Sequence, residues 1–410
     1  MELKTNYQYT YFIHPFSIKE KNYKKYVINL IKNPNFTLKY FDAFKDIELY
    51  NYFLPNIRKN AFQDFSFSED TINSFRKINK LGQYSVFLNQ NCLFFNYNIN
   101  NAIQGKIIEK DGIFFSIEKI ELVCFKSGIC FLLLKTSIDE LSNFSNILNF
   151  NYKFANLKLE SKKLKKISKI KIQTDNFKNM EEITEVIRNI TGQKKKSMNT
   201  DIDDNLFLAY SYACIDSSNW NNENDFKNIE NEFLKYSTVS ESNTNINVDY
   251  DKLNIISNAS FMKIRINNKG VFLICSSTDV NNYTKLPLQY EQKYLYTYLI
   301  ALHERYYLKK LSKEFNFIDN RLASKRFIDF TKNIWINEVT VEDLGQKIYN
   351  RCKQKLNLNE LYHEVKIKFD TFYKEAKVEK NIKQNKIIIF LLALSSLIGI
   401  ANFASWLFIR

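Results

Sequence analysis

The side chains that most often carry chemistry are few and scattered in this sequence. Its histidines are His14, His303 and His363, and neither of the two that precede a glutamate begins an H-E-x-x-H zinc motif. The six cysteines lack C-x-x-C spacing and mostly lie in apolar runs, as buried thiols in a reducing compartment do. The 8 glycines form no phosphate-binding loop of the common types. The sequence therefore predicts no catalytic residue and no metal site, and it argues against an enzyme.

Lysine is the residue type that offers a binding chemistry instead. The chain carries 59 Lys+Arg against 44 Asp+Glu, a net charge of +15, which suits a nucleic acid, an acidic lipid or a small phosphorylated ligand. The densest basic stretch covers residues 158–174, and a second run covers residues 194–196. A solvated strand or linker face is the alternative interpretation. The candidates for contacting an anionic ligand are Lys162, Lys163, Lys165, Lys166 and Lys169.

Residues 387–409 contain no charged side chain and predict a transmembrane helix. At 1.5 Å per residue this segment spans roughly 34 Å, enough for a hydrocarbon core of about 30 Å. Five lysines precede it, whereas only Arg410 follows it, so the positive-inside rule places the N-terminal side in the cytoplasm. The sequence predicts a single-pass protein of the cell's inner, cytoplasmic membrane, with the lipid bilayer as its first partner. The lysines are Lys374, Lys377, Lys380, Lys383 and Lys386.

Three residues within this segment share one helix face. Ser395, Gly399 and Asn402 are spaced i, i+4, i+7, and small or amide side chains at such positions let two membrane helices approach and bond. The face predicts a homo-oligomer, either through simple helix–helix packing or around a pore. The alternative is that these are polar residues that the bilayer tolerates.

The preceding chain predicts an α+β protein: a mixed α/β cytoplasmic domain, a long helical stalk and one transmembrane helix. Apolar alternation predicts strands over residues 84–98, 112–122 and 128–135, and a hairpin that turns at residues 267–269. Helical spacing dominates after Pro287, with a break near residues 316–320 and a further helix that runs from about Asp343 into the bilayer. His303 is interpreted as a packed helix residue. The predicted boundaries are 1–175, 176–286, 287–386 and 387–409, for an N-terminal domain, a second α/β subdomain, the stalk and the span.

This order of elements resembles the CorA-type divalent-cation channels, and most of all their divergent relatives encoded beside type III CRISPR loci. The resemblance rests on residues 125–134 (FKSGICFLLL), the following run at 149–155, and residues 294–311 (YLYTYLIALHERYYLKKL). The chain departs from the family in having one span, and in reading Gly-Ile-Ala-Asn at 399–402 instead of Gly-Met-Asn. The resemblance implies an oligomeric antiviral effector that responds to a nucleotide second messenger and passes ions.

Two functions from different classes follow. The first is a membrane-anchored effector whose cytoplasmic domain senses a small anionic ligand, a nucleotide second messenger being one candidate, and gates or perturbs the membrane. The second is a tail-anchored scaffold that binds nucleic acid or protein without conducting ions. Nucleic acid is the weaker partner, because the lysines are dispersed and the aromatic residues have the pattern of a core.

Overall fold

The computed structural model describes residues 3–62, 87–108, 112–138, 143–157, 169–173, 181–193, 207–246, 255–259, 261–316 and 320–408. Over these residues the chain is a mixed α/β structure with one long apolar helix at its C-terminal end. The predicted combination of an α/β part and an apolar C-terminal helix is confirmed at this level.

A single twelve-stranded sheet organises the described residues. Its strands are β1 Thr5–Ser17, β2 Phe36–Lys39, β3 Cys92–Tyr97, β4 Ile103–Ile108, β5 Ile113–Phe125, β6 Ile129–Ile138, β7 Lys169–Gln173, β8 Glu181–Glu182, β9 Leu208–Ile215, β10 Ile256–Ala259, β11 Met262–Asn267 and β12 Gly270–Ser276. Their order is β10-β11-β12-β9-β1-β6-β5-β4-β7-β8, with β3 also paired to β5 and β2 paired to β3. The β9–β12 pair is parallel and the other pairs are antiparallel. The predicted hairpin is β11–β12.

Helices pack on both faces of the sheet. They are α1 Glu20–Lys32, α2 Ile47–Tyr52, α3 Pro55–Ala61, α4 Phe144–Ala155, α5 Ile183–Thr191, α6 Phe226–Thr238, α7 Asn281–Thr284, α8 Leu286–Gln289, α9 Leu295–Glu314, α10 Asn320–Asn333, α11 Asp343–Lys355 and α12 Leu358–Phe408. A π-helical turn, Tyr290–Tyr294, joins α8 to α9. The predicted break near residues 316–320 is confirmed, since α9 ends at Glu314 and α10 begins at Asn320.

Alternation along the strands gives each face its own aromatic core, because successive side chains point to opposite sides of a sheet. On one face the Phe12 ring stacks on Phe154 of α4, with 3.9 Å between ring centroids. On the other face Tyr210 of β9 stacks on Tyr290 of the π-helical turn at 4.2 Å. The Tyr210 hydroxyl also donates to the Tyr290 carbonyl at 2.7 Å. The helical stretch that starts at α8 is therefore held against the sheet at its π-helical turn.

Strand β5 changes partner halfway along its length. Its first half, to Ile117, pairs with β4, and its second half, from Glu121, pairs with β3. Between these halves the register against β6 slips by one residue, which places Glu118 in a bulge. Bulges of this kind bend a strand and re-aim the neighbouring side chains.

The chain divides into two compact units. The first contains residues 1–307 and 333–358, and the second contains residues 308–332 and 359–410. The predicted boundary at 175/176 runs between strands of one sheet, because β9 and β12 pair with each other and β9 pairs with β1. The boundary predicted from the sequence therefore separates strands that pair with each other although they lie far apart in the chain.

The prediction of an unbroken helix from Asp343 into the apolar segment is wrong. Helix α11 ends at Lys355, and α12 begins at Leu358. Asn357, between them, has a φ of 54°, the left-handed conformation that asparagine adopts more readily than most residues. The asparagine was the local signal for this stop, and it is a common residue just past a helix end.

The second unit has a small packed region of its own. Phe327 of α10 lies 5.5 Å from Tyr362 and 5.2 Å from Phe369 of α12, measured between ring centroids. Ser312 donates to Glu364 at 2.5 Å and accepts from Lys368 at 2.7 Å. These contacts fix the first turns of α12, and residues 373–402 of this 51-residue helix are exposed.

Candidate functional site

The C-terminal part of α12 presents apolar side chains on all sides. One helix of the described residues is long and apolar enough to cross a membrane, and none of its apolar stretch is buried. Ile389 and Phe390 are each 64% exposed, and Leu397 and Ile400 are each 66% exposed. Soluble monomers rarely leave such a contiguous apolar surface in water, so this surface is suited to contact with lipid or with another apolar surface.

The three residues of the predicted polar face lie on this helix, which is continuous to Phe408. Ser395 is exposed and its hydroxyl donates to the Leu392 carbonyl at 2.8 Å, so its hydrogen bond is satisfied within the helix. A Cβ added at Gly399 would meet nothing within 4 Å. Asn402 is exposed. The predicted spacing of i, i+4, i+7 therefore places these three residues on one exposed face of the helix.

The predicted anion-binding lysines are not assembled by the described residues. Lys162, Lys163, Lys165 and Lys166 lie outside the described ranges, as do residues 194–196. Lys169 begins β7, where it pairs with Ile108 of β4 near one end of the sheet order.

A different set of lysines converges where β5 changes partner. The lysine–glutamate cluster consists of Lys39, Lys119, Lys135, Glu121 and Glu291. Glu121 forms an ion pair with Lys119 at 3.1 Å and lies 3.5 Å from the Lys39 Nζ. Glu291, in the π-helical turn, lies 2.9 Å from the Lys135 Nζ and 3.6 Å from the Lys119 Nζ. Two carboxylates thus link three ammonium groups in a chain.

Tyrosines complete the cluster. The Tyr11 hydroxyl donates to Glu291 at 2.5 Å. Burial tends to raise the pKa of the Glu291 carboxyl, but Lys135, Tyr11 and Lys119 outweigh it and lower this pKa below its ordinary value. Burial tends to lower the pKa of Lys135, yet Glu291 raises it overall. Both groups are therefore charged at neutral pH.

A second acidic residue, thirteen positions further along, has the opposite surroundings. Glu304 of α9 is fully buried, accepts from the Ile336 N–H at 3.0 Å, and lies 2.9–3.0 Å from the Tyr349 hydroxyl. Burial raises the pKa of Glu304 to about 8, against the opposing effects of Tyr349, Lys353 and Ile336. The Tyr349 hydroxyl also lies 3.0 Å from the Ile336 carbonyl, so its single proton is shared between that carbonyl and the Glu304 oxygens. This carboxyl holds a proton at neutral pH.

The remaining reactive side chains are packed in the core. His303 lies against Phe125, with 3.8 Å between ring centroids, and its Nε2 is 2.9 Å from the Ser127 hydroxyl, which agrees with its interpretation as a packed helix residue. All six cysteines are free thiols and buried. Among the described residues, no group of three His, Cys, Asp or Glu side chains could hold a metal ion.

Sequence reasoning missed the lysine–glutamate cluster because its members come from four separate segments of the chain. One local signal was present: Glu121 and Lys135 each stand in or beside an apolar strand run, IELVCF and FLLLK. A charged side chain in such a run needs a partner when the strand is buried. Counting lysines along the chain favours the dense run at 158–174 and overlooks a lysine that stands alone in its segment.

Comparison with known proteins gives no match. No family model matches the chain, and neither the curated proteins nor the solved structures include a similar one.

Proposed function

We propose that this chain is a membrane-anchored effector whose first unit binds a small anionic ligand and whose C-terminal helices associate in the bilayer and alter its permeability. The observation that carries the proposal is the long uncharged surface of α12, exposed on every side. The resemblance to CorA-type channels supports an oligomer with ligand-dependent gating.

The energetics of α12 support insertion. Fourteen Ile, Leu and Phe residues between 387 and 409 favour transfer into a bilayer by roughly 4–8 kcal/mol before polar costs. The lysines at 374–386 stop the apolar segment sharply on one side and favour a cytoplasmic N-terminal side. Serines within the segment donate hydrogen bonds to carbonyls of their own helix, as Ser395 and Ser396 do at 2.8 Å. These bonds lower the free-energy cost of placing a hydroxyl group in the bilayer.

Self-association would use the face of Ser395, Gly399 and Asn402. Because lipid is as apolar as leucine, membrane helices associate through close packing and polar contacts more than through burial of apolar area. Gly399 leaves room for a second backbone, and Asn402 carries an amide that can bond across an interface. An Asn in the bilayer without a partner is costly, which favours pairing over isolated helices.

The first experiment compares the full chain with a chain that ends at Lys386. We expect the full chain to resist alkaline carbonate extraction from membranes and the shortened chain to be released. Mass photometry in detergent should then give an oligomer for the full chain. A full chain that is extracted, or that is strictly monomeric in detergent, contradicts the proposal and favours a scaffold role.

The second experiment tests the face itself with a matched pair of variants. Gly399→Ile adds bulk on the polar face, whereas Ala393→Ile adds similar bulk on the opposite side of the helix. We expect Gly399→Ile to lower the oligomer fraction and Ala393→Ile to leave it unchanged. Equal loss in both variants would mean that this face has no special part in association.

A further inference from the structure

Two lysines of the cluster lie at opposed positions on neighbouring strands of the sheet, where their positive charges repel each other. Lys119 of β5 and Lys135 of β6 are direct cross-strand partners. Like charges at opposed positions repel each other and destabilise a sheet. Lys135 is also largely buried, with its side chain 14% exposed, so water screens the repulsion poorly. Such a pair requires an anion between its ammonium groups.

Each lysine has one carboxylate partner on the sheet, Glu121 at 3.1 Å from Lys119 and Glu118 at 3.4 Å from Lys135, but the carboxylate that contacts both lysines is Glu291 of the helical stretch. The two oxygens of Glu291 are divided between the lysines, Oε1 toward Lys119 and Oε2 toward Lys135. Glu291 stands in the π-helical turn, a rare conformation that occurs frequently at functional sites.

One side of the cluster is open to solvent. The side chains of Lys119 and Glu118 are 36% and 38% exposed, and Tyr7 is 37% exposed. The Tyr7 ring lies 5.9 Å from Tyr9, over which the Lys135 Nζ sits at 4.9 Å from the ring centroid. An incoming ligand would therefore meet two ammonium groups beside an exposed aromatic ring.

We propose that the Lys119–Lys135 pair is a phosphate-binding site, for which the Glu291 carboxylate is an internal competitor. A phosphate monoester carries up to two charges and three acceptor oxygens, so it satisfies two lysines better than one carboxylate does. Its binding displaces Glu291 and frees the π-helical turn that begins α9. This inference rests on the proposed function, because it names the anionic ligand's site and the element that the ligand moves.

The test is calorimetric titration of the full chain in detergent with three probes that each carry a phosphate group able to bear two negative charges. Inorganic phosphate and adenosine monophosphate represent soluble ligands, and short-chain dihexanoyl phosphatidic acid represents a lipid headgroup. We expect at least one probe to bind the wild type. The preferred probe then identifies whether the phosphate comes from a nucleotide or from a lipid. No binding by any of the three overturns the proposal.

Variants distinguish a ligand site from a structural ion-pair network. Lys135→Gln should weaken binding about tenfold or more, the size expected for one lost charge-assisted hydrogen bond. Glu291→Gln should strengthen binding by a similar factor, because it weakens the internal competitor. Lys285→Gln, an exposed lysine six positions before Glu291, is the control and should bind as the wild type does. Weaker or unchanged binding in Glu291→Gln contradicts the proposal.

The double variant Lys135→Gln/Glu291→Gln removes one charge of each sign. It keeps the net charge of the protein unchanged and serves as a second test if either single variant misfolds. It should fold, as judged by circular dichroism, and lack the gain shown by Glu291→Gln alone. Binding equal to that of Glu291→Gln would show that Lys135 has no role. Since none of these titrations depends on membrane insertion or oligomer formation, the site can fail while the membrane proposal stands, and the reverse.

Discussion

Glu291 and Glu304 belong to consecutive parts of one helical stretch, both are buried or nearly so, and yet their charges differ. Glu291 meets Lys135, Lys119 and Tyr11, and its carboxyl pKa is lowered. Glu304 meets a tyrosine hydroxyl and a backbone N–H, and burial raises its pKa to about 8. The difference shows that burial alone does not set the charge of a carboxyl group: the cations that the neighbouring strands bring to it decide.

The two glutamates therefore govern different ranges of pH. The folded pKa of Glu304 lies above its unfolded value of about 4.3, so its contribution to stability is complete below that value and is lost as the pH rises toward 8. The folded pKa of Glu291 lies below its unfolded value, so its contribution is present above about pH 4.3 and is lost as the pH falls through the folded pKa. Ionisation of Glu304 limits the stability at alkaline pH, and protonation of Glu291 limits it at acid pH.

The largest effect is expected from Glu304→Gln. The wild type should lose about 1.4 kcal/mol of unfolding free energy per pH unit through this group, or roughly 3 kcal/mol from about pH 5 to pH 7. The amide cannot ionise, so the variant should be nearly free of this slope. Urea unfolding of the full chain in detergent across this range measures it, with the exposed Glu338→Gln as the matched control. If the slopes of the variant and the wild type coincide, Glu304 is already ionised in the folded protein.

An intermediate effect is expected from Glu291→Gln. The variant leaves the opposed lysines with one carboxylate fewer, and we expect it to cost about 1–3 kcal/mol at neutral pH. Because Lys119 and Glu291 are partly exposed, the cost should shrink when the salt concentration is raised. Unfolding at low and high salt checks both points. A cost that is independent of salt and pH would indicate lost packing, and the contrast with Glu304 would then not be electrostatic.

The smallest effects come from removing one hydroxyl at each glutamate. Tyr11→Phe and Tyr349→Phe should each cost about 1 kcal/mol, the usual net value of one hydrogen bond. Both hydroxyls lower the pKa of their glutamate, so each deletion raises it. The cost should therefore change with pH near 8 for Tyr349→Phe, and only in the acid range for Tyr11→Phe. Identical pH profiles for the two variants would remove the distinction between the two regions.

Local patterns predicted many elements of this fold but not their assembly. Strand β6, the β11–β12 hairpin and the break after Glu314 follow from spacing and turn residues that are close in sequence. The pairing of β1 with β9 joins residues about two hundred positions apart, and nothing in either strand specifies that partner. The domain boundary drawn near residue 175 divided a sheet for this reason. The helix stop at Asn357 was a local signal that the apolar spacing around it obscured.

The sequence by itself determined the apolar character of α12, since 23 successive uncharged residues are apolar in any fold. It also determined that charged residues stand in apolar strand runs at Glu121 and Lys135. Only the tertiary structure decided which charges meet, because the one-residue bulge at Glu118 sets Lys119 opposite Lys135 and the π-helical turn carries Glu291 to both. Electrostatic interactions depend on distances of a few ångströms, and long-range pairing fixes such distances, whereas hydrophobicity belongs to each residue wherever it lies.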